Sequence, residues 1–186
     1  MIIEEAYLFH KIDIYHPCIA KVTCKNPEKQ LAGAGKLELI LYTGSKMNAK
    51  TGGFEEVAHT ADLEIKVWGK DLRSLFTSAA EGMFHLLGIE GYEQGLSAVR
   101  EEISLNAMDY EGLLILFLEE LLYRLTEEYM RFSIDNLSLD DKFSLQAKLR
   151  GSQIKSYQRD IKAVTYHKLN IREVDKGYTV NIVFDI

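Results

Sequence analysis

The chain has 186 residues, 47% of them hydrophobic, which is enough to bury one sizeable core. Its 22 basic and 28 acidic residues leave a formal charge of −6, a sign that gains little from phosphate neutralisation and argues against strong direct binding of nucleic acid. No apolar run is long enough to span a membrane, Met1 to Lys11 lacks the parts of a secretory signal, and Cys18 and Cys24 make no disulfide framework, so a cytoplasmic protein is expected.

Charge divides the chain unevenly. From Phe54 onward 15 basic and 23 acidic residues give −8, whereas the first 53 residues are slightly basic. Between the two parts, Gly44 to Gly53 is small and polar with glycines at both ends, and reads as a linker closing an N-terminal extension over 1–53. Met47 within it offers an alternative start, in which case residues 1 to 46 are a mis-assigned upstream segment. Lys36 to Tyr42 has the composition of one strand. His10, His16, Cys18 and Cys24 invite a zinc reading, but five residues separate the cysteines where two to four are usual, and the grouping is taken as coincidence.

From Asp62 the pattern becomes regular. Leu63, Ile65 and Val67 alternate with Asp62, Glu64, Lys66 and Trp68, the period of a half-buried strand that Gly69 ends. Leu72, Leu75, Phe76, Ala79, Met83 and Leu86 then recur every three or four residues, predicting a helix that starts near Asp71 and stops at Gly88. His85 falls on this helix and reads as structural. A second strand follows from Val99 to Ala107, and Asp109 caps a strongly apolar helix running to about Glu128. Phe132 to Leu139 and Phe143 to Leu149 flank the polar turn Asp140-Asp141 as a hairpin. The last pair, Leu169 to Val174 and Tyr178 to Ile186, flanks Asp175-Lys176-Gly177. These elements predict an α+β fold, a single compact domain over 54–186 with a mixed β-sheet and two main helices packed on one face.

Alternation also sorts the final strand. Tyr178, Val180, Ile182, Phe184 and Ile186 share one face, leaving Asp185 on the other, as Asp62 is opposite to Leu63 in its own strand. If the two strands are neighbours, both carboxylates converge with the α-carboxylate of Ile186. Three anionic groups repel one another unless a cation neutralises them, and oxygen donors alone favour a hard ion such as Ca2+ or Mg2+ over zinc. The competing explanation is that aspartates at strand ends are commonly just solvated or cap turns.

The stretch His59-Thr60-Ala61-Asp62-Leu63-Glu64-Ile65-Lys66-Val67-Trp68-Gly69, followed by Leu72, Leu75-Phe76 and Ala79-Ala80, resembles the opening signature of the archease family. Leu113-Leu114 and Glu120 to Tyr123 resemble its second helix, and Ile161 to His167 with Phe184-Asp185-Ile186 its closing motifs; the likeness spans about 54–186. It implies an accessory factor, not an enzyme, that promotes guanylylation and multiple turnover of an RtcB-type RNA ligase in tRNA splicing or RNA repair. The resemblance also implies that Asp62, Asp185 and Ile186 bind a divalent cation, Ca2+ first with Mg2+ or Mn2+ as alternatives, and that Lys162 serves ligase activation. Where relatives often have Gly-Glu ahead of the lysine motif, this chain has Gly151-Ser152.

His59 and His167 are candidates to support the cation through hydrogen bonds or as weak ligands, although an isolated histidine is more often a structural residue. No phosphate loop, nucleophile elbow or His-Glu-x-x-His pair occurs. Two other functions stay open on the residues alone: a small metal-dependent hydrolase with Asp62 and Asp185 holding the ion and Lys162 opposite developing charge, and a general chaperone-like module whose acidic face meets basic partners.

Overall fold

The computed structural model describes residues 21–23, 52–57, 62–92 and 99–186. The elements in chain order are β1 (Lys21–Thr23), β2 (Gly52–Val57), β3 (Leu63–Gly69), α1 (Leu72–Leu87), β4 (Ile89–Tyr92), β5 (Val99–Asn106), α2 (Tyr110–Glu128), β6 (Met130–Leu139), β7 (Ser144–Tyr157), β8 (Ala163–Thr165), β9 (Arg172–Val174) and β10 (Gly177–Asp185). His59, the expected strand at 36–42, Met47 and the histidines and cysteines of the extension lie outside the described residues.

Both helices begin and end where local chemistry dictates. Asp71 accepts from the Ser74 amide at 2.7 Å while the Ser74 hydroxyl accepts from the Asp71 amide at 3.1 Å, a reciprocal capping box. Burial pushes the Asp71 carboxyl up, but the two Ser74 hydrogen bonds together with Lys70 and Arg73 outweigh it and hold the pKa below its ordinary value. Gly88, at φ 62°, closes α1 in the left-handed region. Asp109 caps α2 through the Gly112 amide at 2.7 Å, and Tyr129 closes it at φ 55° without help from a glycine.

The α+β expectation holds, with two main helices, and the strands divide into two antiparallel sheets. The first runs β1-β5-β7-β4 with β6 on β7; the second runs β2-β3-β10-β8 with β9 on β10. Helix α1 packs on β2, β3 and β10 and also meets β6, while α2 lies against β5 and β6 and touches β8. The helices thus bind the two sheets into one core, and Phe76 of α1 meets Phe117 of α2 with ring centres 6.1 Å apart. Burying helices on more than one side requires apolar residues around much of their circumference, which α1 and α2 both have.

Strand β2 begins at Gly52, so the last two glycines of the expected linker belong to a sheet. Their role is close approach: a Cβ on Gly52 would stand 2.6 Å from Ser78 Oγ, and one on Gly53 2.8 Å from the Trp68 ring. In β6 the pairing with β7 shifts between Ile134 and Asn136. That irregularity accounts for the odd spacing between Phe132 and Leu137, which are both buried although a regular strand would put them on opposite faces.

Candidate functional site

Strand β10 is central to its sheet, with β3 on one edge and β8 and β9 on the other. Its register against β3 runs from Tyr178↔Gly69 to Phe184↔Leu63. One step beyond that last pair stand Asp62 and Asp185, both exposed. Phe184 and Ile65 point into the core with no exposure, so alternation sends the two aspartates to the outer face from neighbouring strand ends.

Lys162 reaches the same corner from the other edge. Ala163 pairs with Asp185, the Lys162 amide donates to the Asp185 carbonyl at 2.9 Å, and Lys162 Nζ donates to the Ile186 oxygen at 2.8 Å. The structure therefore gathers Asp62, Asp185, Ile186 and Lys162 at one end of the sheet. Neither aspartate side chain has a hydrogen-bond or ion-pair partner among the described residues. His167 is placed elsewhere: it follows Thr165 at the opposite end of β8 from Lys162, and its amide donates to Thr165 Oγ1 at 3.3 Å.

The donor chemistry at the corner suits a hard cation, since the Asp62 and Asp185 carboxylates and the Ile186 main-chain oxygen offer only oxygen. Lys162 already supplies one positive charge to the Ile186 oxygen. Among the described residues no three His, Cys, Asp or Glu side chains are grouped to hold a metal, so a coordination set here would need a main-chain oxygen such as that of Ile186 beside the two aspartates. Ser152, singled out in the sequence as a departure from the family pattern, pairs with Arg131 in the other sheet.

One participant was not legible in the sequence pattern. Glu64 occupies the polar phase of β3, two residues from Asp62, yet it is only 4% exposed. It accepts from Asn181 Nδ2 at 2.7 Å and from Lys168 Nζ at 3.3 Å. The only available signal was the run of outward acids at 62 and 64; the cover comes from residues a hundred positions away.

A family model described as "Archease protein family (MTH1598/TM1083)" matches residues 54–186. The chain is 38% identical over 138 residues to "Protein archease" of Saccharolobus islandicus, an alignment covering 72% of this chain and 98% of that protein. The solution structure of Methanobacterium thermoautotrophicum Protein 1598 superposes with TM-score 0.55 at 27% identity, covering 72% of this chain and 99% of the other. A Thermotoga maritima crystal structure, described as an "archease, possible chaperone", shares the fold with TM-score 0.50 at 19% identity, over 71% of this chain and 96% of the other.

Proposed function

This chain belongs to the archease family, and from that premise we propose that it is an accessory protein that promotes guanylylation and multiple turnover of an RtcB-type RNA ligase in tRNA splicing or RNA repair. The observation that carries the reading is the corner itself. Two exposed aspartates, unpartnered among the described residues, leave adjacent strands on one face, and an exposed lysine is fixed beside them by its own main chain. An acidic chain makes a poor direct RNA binder, so action through a partner protein is the economical route.

In this reading Asp62 and Asp185 hold a divalent cation, Ca2+ in the first instance, with the Ile186 main-chain oxygen as the third oxygen donor. The cation would cancel the repulsion among these groups and give the corner a positive centre. Lys162 Nζ has three protons and donates one to Ile186, leaving donors for a ligase carboxylate or a nucleotide phosphate. Its amide bond to Asp185 sets how far that ammonium extends from the sheet.

The test is multiple-turnover ligation by the cognate ligase. Wild-type protein is expected to stimulate it, and Asp62→Ala and Asp185→Ala each to cut that stimulation roughly 10-fold or more, the loss typical of disturbing a metal site. Both side chains are exposed, so neither change should lower the Tm appreciably. Equal stimulation by all three proteins would remove the pair from the function. Turnover of a phosphoester without any ligase would favour a hydrolase instead, and similar help to many unrelated clients would favour a general chaperone.

A further inference from the structure

Strand β8 has only three residues and lies at an edge, so its own ladder bonds hold it weakly. Its first end is pinned by Lys162, through the amide to Asp185 and through Nζ to Ile186. At its other end Thr165 Oγ1 donates to the Val183 carbonyl at 3.0 Å, and the chain turns at Tyr166–Leu169, where the Leu169 amide donates to the Tyr166 carbonyl at 3.2 Å. Lys168, at φ 59°, is the left-handed residue of that turn.

The register shows how far Lys168 must reach. Glu64 on β3 pairs with Val183 on β10, and Val183 pairs on its other edge with Thr165 of β8. Strands are spaced about 4.8 Å apart, so the Lys168–Glu64 ion pair crosses β10 over a lateral distance of about 10 Å. Asn181, also on β10, donates to the second Glu64 oxygen at 2.7 Å. Burying a carboxylate costs free energy unless it is paired, and Glu64 recovers part of that cost from Asn181 on β10 and from Lys168, which turns back over it.

We infer that Glu64, acting through Lys168, is a positioning residue for Lys162: the ion pair fastens the far end of β8 across β10 and so fixes the strand that carries Lys162 at its near end. The role in activity rests on the ligase-accessory reading above; the fastening itself does not.

Two measurements separate these. In hydrogen exchange, Lys168→Ala and Glu64→Gln are expected to speed the Lys162 and Leu169 amides about 10-fold or more while the Val67 amide in β3 is unchanged, because only a local opening is made easier. Lys168→Arg, which keeps the charge and length, should restore protection, and Lys176→Ala, an exposed lysine in the β9–β10 turn, should have no effect. In multiple-turnover ligation the same variants should lower stimulation at saturating protein roughly 5-fold, with rescue by Lys168→Arg, as expected when a contributing group is misplaced and not removed. Unchanged exchange at Lys162 in both variants overturns the fastening. Faster exchange with full stimulation overturns the positioning role. Absence of stimulation by the wild type overturns the ligase reading and the positioning role with it, and the exchange data then decide the fastening alone.

Discussion

Arg124→Met is expected to destabilise the protein by about 3 kcal/mol at neutral pH, measured by chemical denaturation, although methionine keeps most of the volume. Arg124 is the innermost charge of α2, with 7% of its side chain exposed. Its Nε and Nη2 donate to Glu120 Oε1 at 3.0 and 2.6 Å, Nη1 pairs with Glu101 of β5, and the guanidinium lies over the Phe132 ring of β6 at 5.4 Å. Burial alone would lower the Arg124 pKa, but Glu120, Glu101 and Glu128 together hold it above the ordinary value. Glu128 is itself pushed up, chiefly by burial, against the pull of Arg124 and with Glu101 and Glu120 adding to the rise.

Removing the arginine strands these acids, and that is where the cost arises. Glu128, already raised, would lose the opposing pull of Arg124 and rise further above its unfolded value, so its penalty is fully present above the raised pKa and disappears as pH falls below the unfolded one. The gap between Arg124→Met and wild type should therefore narrow between neutral pH and about pH 4. Adding Glu101→Gln and Glu120→Gln to Arg124→Met should recover part of the loss at pH 7. A gap that stayed constant with pH would show that packing against Phe132, not stranded charge, dominates.

Gly177→Ala is the second large effect, expected at about 3 kcal/mol or more by the same measurement. Gly177 opens β10 at φ 131°, a conformation that L side chains rarely adopt, and an added Cβ would lie 2.1 Å from the Gly69 carbonyl oxygen and 2.7 Å from Lys70 Cα. Both obstacles are backbone, so no side-chain rotation relieves them. Gly69 is itself closely packed, since a Cβ added there would stand 2.3 Å from the Leu75 amide nitrogen in the first turn of α1. The strand end opposite the aspartate corner is thus set by two glycines in contact. A loss under 1 kcal/mol would mean that the β9–β10 turn can re-form in another geometry.

Much of this fold was readable because its signals are local. The spacing of Leu75, Phe76, Ala79 and Met83, and the caps Asp71, Gly88 and Asp109, report on turns of a helix within a few residues. The alternation around Phe184 and Leu63 likewise put Asp185 and Asp62 on outer faces. What it did not supply was adjacency, which depends on β10 pairing across more than a hundred residues with β3. The division into two sheets has the same origin, since nothing in β7 announces that it will pair with β4, β5 and β6 while β10 takes β3, β8 and β9.

Glycine and glutamate were the least transparent residue types. Gly52 and Gly53 looked like linker because the same residue serves flexibility and close packing, and only the positions of Ser78 and Trp68 distinguish the two. Glu64 looked exposed because its phase along β3 is polar, whereas the turn after β8 carries a lysine back to it. The family resemblance, by contrast, named Lys162 without any local signal, and the register then placed it within hydrogen-bond reach of Ile186.

The central claim is that the Asp62–Asp185 corner serves the guanylylation of another protein. The most direct measurement is the rate at which purified RtcB-type ligase forms its covalent guanylyl adduct from GTP, with wild-type protein and with the Asp62→Asn, Asp185→Asn double variant, in Ca2+ and after chelation and replacement. Acceleration by the wild type is expected, with a loss of roughly 10-fold or more of that acceleration in the variant and the Tm of the metal-free protein essentially unchanged. Acceleration by the folded double variant equal to that of the wild type would contradict the central claim.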